Sequence, residues 1–321
     1  MKTKLTAIIG MFLLCASFVT AQEKTTIRFG HFPNVTHAQG VIAHALSRQG
    51  KGWFEKHLGP NVEIQWFTYN AGPSAMEAVF AKSLDVTYVG PGPALNAYLK
   101  SGGEEIRVIS GAANGGAALV VKADSPIKAP ADFRGKKIAT PQLGNTQDIS
   151  CRAWLKAQGF KVTQTGGEVT VLPTQNPDQL ALLQSGGVDA VWTVEPWVTR
   201  LLRDANGRVF LEDKDTITTW LVSSVKFLRD QHELAKKVAD ANSELTKWIQ
   251  QNQAEAQKLL IDELKAETRS DFQPDAVAQA WNRIQFTSEV SRDLVAKSVQ
   301  DGKEAGFLKG STDTSKLIET P

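Results

Sequence analysis

Several stretches of this chain place glycine, proline and small polar residues just ahead of a helical pattern, a chemistry suited to holding an anion. GHFPNVTHAQG follows the first β-like run, TYNAGPSAMEA the second and YVGPGPALNA the third, while PQLGNTQD follows KKIAT. A helix start presents backbone N–H groups without intrahelical partners, together with the positive end of the helix dipole. Several starts aimed at one cleft bind a negative group without lysine or arginine. Asn34, Thr36, Ser74, Asn145, Thr146 and Gln147 add neutral hydrogen-bonding groups there, although each taken alone also suits an N-cap or a turn. Gly90, Pro91 and Gly92 let backbone approach a ligand closely, but the third glycine of a dinucleotide fingerprint is replaced by Leu95. Further on, Trp192, Glu195 and Trp197 lie in DAVWTVEPWVTR, where an aromatic wall beside a carboxylate suits an organic anion with an amine or alkyl tail. The same residues equally suit a core position and a helix start.

Catalytic signatures are missing. The histidines are His31, His37, His44, His57 and His232, and no HExxH, CxxC, GxSxG or phosphate-binding loop occurs. His37 and His44 are spaced to share a helix face, yet no carboxylate stands at a zinc spacing, so solvated or capping roles are expected for them. No catalytic residue, metal site or cofactor is therefore expected. Cys151, one turn into a helical pattern, reads as a small core residue.

The elements that must position these loops alternate. β-like runs at Ile27–Phe32, Val62–Tyr69, Asp85–Val89 and Ile106–Ser110 are separated by helical patterns at His37–Gln49, Ser74–Lys82 and Ala94–Lys100. Ala118–Lys122, Lys137–Ala139, Val169–Leu172 and Asp189–Val194 continue the strands, with helices over Thr146–Gln158 and Gln179–Gln184. The last third reads mainly as helix, including Ala254–Leu264 and Ala276–Phe286. Such alternation predicts an α/β fold, and open α/β sheets bind ligands at the carboxyl ends of their strands.

Charge and targeting narrow the class. Lys2 and Lys4, an apolar run from Leu5 to Val19 and the small residues to Ala21 form an export signal cut after Ala21. The chain carries 36 Lys+Arg and 34 Asp+Glu, and residues 1–21 hold two lysines and no acid. The exported form is thus formally neutral, 34 against 34, without the basic excess of a nucleic-acid binder. Only Cys151 survives cleavage, so packing and not a disulfide must hold the fold. A periplasmic location and a monomer are expected.

GHFPNVTHAQG, NAGPSAMEA, LDVTYVGPGPAL, ADFRGKKIATPQLGNTQD and VDAVWTVEPW, in that order, closely resemble the periplasmic substrate-binding components of ABC importers for aliphatic sulfonates, taurine and nitrate. The resemblance spans about residues 26–310. It implies a type II periplasmic-binding-protein fold, two α/β lobes joined by a hinge, with residues 22–112 and 216–321 in lobe 1 and 113–215 in lobe 2. It implies a small anionic ligand between the lobes, delivered to a membrane permease driven by an ATPase. The family's ligand loops fall on Phe32–His37, Gly72–Ser74, Gly90–Gly92, Asn114–Gly116, Gln142–Gln147 and Trp192–Glu195. Within them Phe32, Asn34, Thr36, His37, Gly72, Ser74, Gly90, Pro91, Gly92, Asn114, Gly115, Gln142, Asn145, Thr146, Gln147, Trp192 and Glu195 are the expected ligand contacts. A pyrimidine-precursor synthase of the same superfamily carries a cysteine-rich iron motif absent here, which argues against an enzyme. The tryptophans and Glu195 point to an organic sulfonate such as taurine; nitrate and bicarbonate are the alternatives.

Overall fold

The computed structural model describes residues 24–321, so the segment expected to be an export signal lies outside the described residues. The chain begins with β1 (Thr25–His31), α1 (Ala38–Arg48) and α2 (Trp53–Leu58). Next come β2 (Val62–Thr68), α3 (Gly72–Phe80), β3 (Val86–Val89) and α4 (Pro91–Lys100). β4 (Ile106–Gly115) and β5 (Ala117–Lys122) lead to β6 (Lys137–Thr140) and α5 (Thr146–Ala157). A short hairpin, β7 (Val162–Thr163) and β8 (Gly166–Gly167), precedes β9 (Thr170–Pro173), α6 (Asn176–Ser185), β10 (Ala190–Val194) and α7 (Trp197–Asp204). The chain then forms β11 (Gly207–Asp213), β12 (Ile217–Ser224) and α8 (Val225–Asp230). It finishes with α9 (His232–Gln251), α10 (Gln253–Thr268), α11 (Pro274–Trp281), β13 (Ile284–Phe286) and α12 (Arg292–Ala305).

Two sheets result. The first has the order β13-β4-β12-β3-β1-β2 and the second β11-β5-β10-β6-β9. β1 runs parallel to β2 and β3, and β6 parallel to β9 and β10. Each of these parallel pairs is joined through a helix, which carries the loops after the strands to one edge of the sheet. The chain passes from the first sheet to the second at Gly115 and Gly116, both at positive φ (71° and 74°), and returns through residues 214–216. A Cβ at Gly115 would lie 2.8 Å from the Arg283 carbonyl oxygen, so this passage needs glycine for space as well as for its dihedral.

Each sheet is buried on both faces. On one side of the first, Ile27 and Phe29 pack with Ile42 of α1, Leu245 and Ile249 of α9 and Leu260 of α10. On its other side Val108, Trp220 and Val222 meet Leu95 of α4 and Val295 of α12. In the second sheet β5 alternates, with Leu119 and Val121 on the face of α5 and Ala118 and Val120 on that of α7. Cys151 is fully buried on the α5 face, and burial pushes its thiol pKa up, so it is a packing residue and not a nucleophile.

One element departs from the periodicity. The helix expected over Ala276–Phe286 stops at Trp281, and Ile284–Phe286 pairs antiparallel with Ala113–Gly115. The exposed edge of β4 offers unpaired backbone groups that β13 satisfies, while Phe286 stays packed on Trp281 at 4.5 Å between ring centroids. Tertiary pairing overrides the helical spacing there.

Candidate functional site

The loops after β1, β2, β3, β6 and β9, the end of β10 and the start of β12 enclose a narrow cleft between the sheets. Phe32, Asn34, Thr36 and His37 line it from the first loop, and Asn70, Ala71 and Gly72 from the second. Gly90 and Pro93 come from the third, with Pro141, Asn145, Thr146 and Gln147 across the gap. Asn176, Val194 and Thr218 complete the wall. The lining holds no lysine, arginine, aspartate or glutamate.

Hydrogen bonds fix which way the amides point. Trp197 Nε1, a donor only, bonds Asn34 Oδ1 at 2.9 Å, which leaves the two N–H groups of Asn34 as its free donor end. Asn145 caps α5 by accepting from the Asp148 N–H at 2.8 Å, and its own amide nitrogen donates to Gln147 Oε1 at 3.1 Å. The chain of constraint therefore leaves Gln147 with a free NH2. Asn176 Oδ1 accepts from the Thr193 hydroxyl at 3.2 Å, with the same consequence. His37 packs on Phe32 at 4.3 Å between ring centroids, and its Nδ1 has no partner. Burial, reinforced by repulsion from His31, holds the His37 pKa well below the usual histidine range, so the ring is neutral.

The helix starts contribute unequally. The first three residues of α4 are Pro91, Gly92 and Pro93, and the one N–H among them, on Gly92, is taken by Thr146 Oγ1 at 3.2 Å. α4 thus supplies shape and no free donor. α3 and α5 keep the N–H groups of Gly72, Ser74, Thr146 and Gln147 without intrahelical partners. Gly90 is a point of closest approach between the lobes: a Cβ there would lie 2.2 Å from Thr146 Oγ1.

Other expected contacts lie elsewhere. Gln142 donates to Ser74 Oγ at 3.2 Å, a contact between the two lobes at the cleft's rim, and Pro91 and Gly92 stand behind the lining. Asn114 and Gly115 end β4, paired to β12 and β13. Trp192 is buried on the α5 face of the second sheet, 6.0 Å from Trp154 between ring centroids, and does not reach the cleft. Glu195 follows the same strand but turns its carboxylate inward, accepting from the Thr199 backbone N–H at 3.0 Å and its hydroxyl at 2.9 Å, and pairing with Arg283 at 3.2 Å. Burial raises its pKa to about 7 against the opposing pull of the Thr199 hydrogen bonds and Arg283. The aromatic wall and carboxylate expected at the ligand are thus absent from the lining; Trp197 enters only by orienting Asn34.

Asn70, Ala71, Pro93, Pro141, Asn176, Val194 and Thr218 line the cleft beyond the contacts expected from sequence. Asn70 sits two residues before the start of α3 and Asn176 opens α6 in an Asn-Pro pair, so both carry the same helix-start signal as Asn34 and Asn145.

The NMT1-like family pattern matches residues 20–261. The chain belongs to the NMT1-like family. A binding protein of Brucella abortus (strain 2308) is 25% identical over 320 residues, covering 98% of this chain and 92% of its own. An Escherichia coli (strain K12) protein described as aliphatic sulfonates-binding is 29% identical over 215 residues, 65% of this chain and 62% of that one. Among solved structures, the periplasmic aliphatic sulphonate binding protein SsuA from Escherichia coli superposes with a TM-score of 0.72 at 20% identity, over 92% of this chain and 98% of that one. The periplasmic nitrate-binding protein NrtA from Synechocystis gives 0.72 at 17% identity, over 91% and 84%. This member of the NMT1-like family therefore has the periplasmic-binding-protein fold expected from its sequence.

Proposed function

We propose that the chain is an extracytoplasmic solute-binding protein of an ABC importer, holding a small monovalent anion between its lobes and delivering it to a membrane permease. The observation that carries this reading is a cleft lined by neutral donors, among them the amides of Asn34, Gln147 and Asn176 and the neutral ring of His37, with no ionised side chain. A permanent monoanion needs hydrogen-bond donors and no proton acceptor. Support for the class comes from the relatives named for binding sulfonates and nitrate. Transfer to a permease and ATPase rests on that kinship. The lining presents no nucleophile beside a base, so we read the cleft as a binding site and not as a centre of turnover.

Within that class we assign an alkanesulfonate. Taurine is disfavoured because no lining carboxylate meets its ammonium group. Nitrate is the second reading, favoured by the limited empty space. The positive-φ glycines at 115 and 116 and residues 214–216 are proposed as the hinge, with bound anion bridging the lobes and favouring closure by its contacts to both. Calorimetric titration of the exported form with methanesulfonate, taurine, nitrate and bicarbonate tests the assignment. Heat with methanesulfonate and none with the others supports it; binding of nitrate alone replaces the sulfonate, and silence with all four removes the anion reading.

A further inference from the structure

Away from the cleft lining, His31 at the end of β1, His44 in α1 and Glu267 in α10 bring one atom each to a common point. His31 Nε2, His44 Nδ1 and Glu267 Oε1 stand 3.0 Å apart along every edge of a triangle. Hydrogen bonding cannot satisfy that triangle while Glu267 is ionised. If both nitrogens donate to the carboxylate, two N–H groups face each other; if one donates to the other, a nitrogen lone pair faces the carboxylate oxygen. One edge is repulsive in every arrangement. A cation makes all three attractive, and a point at zinc-ligand distance, about 2.0–2.1 Å from each corner, lies roughly 1 Å above the plane.

The surroundings agree with a cation. Glu267 Oε2 is buried without a partner, leaving a second oxygen for the same centre. His31 Nδ1 faces the Phe32 carbonyl oxygen at 3.4 Å, the kind of outer contact that turns the opposite nitrogen of a ligating ring toward a metal. The Thr68 hydroxyl donates to Glu267 Oε1 at 2.9 Å and helps hold the carboxylate at the cluster. Glu263 Oε1 lies 3.1 Å from His44 Nδ1, oriented by Arg48 at 2.8 Å, and adds a second carboxylate at the edge of the cluster.

We propose that His31, His44 and Glu267 bind a divalent transition-metal ion of the zinc class, joining β1, α1 and α10. The ligand set of two imidazoles and a carboxylate leaves a fourth tetrahedral position for Glu267 Oε2, Glu263 or water. The exported protein, stripped with a chelator, is titrated with Zn²⁺ by calorimetry and with Co²⁺ by visible absorption. One metal per chain, a tetrahedral Co²⁺ spectrum and a metal-dependent rise in Tm are expected. Glu267→Gln and His44→Gln should each weaken Zn²⁺ binding at least ~10-fold, in the range seen on losing a ligand or its outer partner. Anion binding in the cleft reports that each variant is folded. Crystals of the unmodified protein soaked in Zn²⁺ should show an anomalous peak between His31 and His44, a result that does not depend on either variant folding. No metal uptake, equal affinity in folded variants, or an anomalous peak only elsewhere overturns the site.

Discussion

Gly90 and the amides around it stand where the two lobes meet over the cleft. Gly90→Ala places a methyl against Thr146 Oγ1, a contact made only when the lobes meet. Expected is a loss of anion affinity of at least ~10-fold with a much smaller effect on Tm, because the severe clash falls on closure, while the Thr218 carbonyl oxygen of the same lobe, at 3.2 Å, needs only a slight shift. An unaltered dissociation constant would show that the lobes do not close on Gly90. Gln147→Ala removes a donor without touching the cap of α5, so it should weaken anion binding by ~1.5–3 kcal/mol, the worth of a hydrogen bond to a charged group. Asn145→Ala should do both kinds of damage: it frees Gln147 from its orienting bond and costs about 1 kcal/mol of stability through the lost N-cap. Calorimetry and urea denaturation on the two variants separate the effects. Identical stability losses would place Gln147 in the cap instead of the cleft.

At the scale of elements, the α5 start is held by a buried pair. Asp148 accepts from Arg152 Nε and Nη2 at 3.0 Å each, from the Thr140 hydroxyl at 2.9 Å and from the Gly144 N–H at 3.0 Å. These bonds fix the loop from β6 that carries Asn145 and Gln147. Arg152→Met leaves the carboxylate buried without its charge partner, so urea denaturation should show a loss of about 3–5 kcal/mol. A loss near zero would mean that the Thr140 and Gly144 hydrogen bonds hold Asp148 without Arg152. The sequence made α5 and its capping asparagine legible through local spacing, yet gave no sign that Asp148 and Arg152 are fully buried. The i,i+4 spacing is equally that of a solvated surface pair. Strand β10 shows the converse: buried on both faces, it lacks the polar-apolar alternation that would tell which side Trp192 takes. The local spacing of β13 suits a helix, because its partner, the edge of β4, is distant in sequence.

For the whole molecule, Glu195 ties the lobes together. Its carboxylate meets Arg283, which precedes β13 of the first sheet, and its backbone oxygen accepts from the Val35 N–H at 3.1 Å. Because its pKa is raised from 4.5 to about 7 in the folded protein, the group contributes stability while protonated. That contribution declines as pH rises from about 4.5 to about 7 and then levels off, since the unfolded chain releases the proton first. The size is on the order of 3 kcal/mol at most for a shift of this kind. Glu195→Gln, which mimics the protonated form, should flatten the decline when Tm is followed across that window. Parallel pH profiles for the two proteins would show that Glu195 ionises freely.

The sequence by itself determined the alternating α/β class and the neutral, glycine-rich loops at the strand ends, because periodicity and turn chemistry are local properties of the chain. It therefore placed Phe32–His37 and Asn145–Gln147 in loops that do line the cleft. Only the tertiary structure decided which amide ends face inward, that Pro91 and Pro93 leave α4 without a free donor, and that Trp192 and Glu195 belong to packing. It alone brought His31 and His44 together with Glu267, 223 residues beyond His44. Such constellations depend on how strands and helices from distant parts of the chain meet, and no local spacing encodes them.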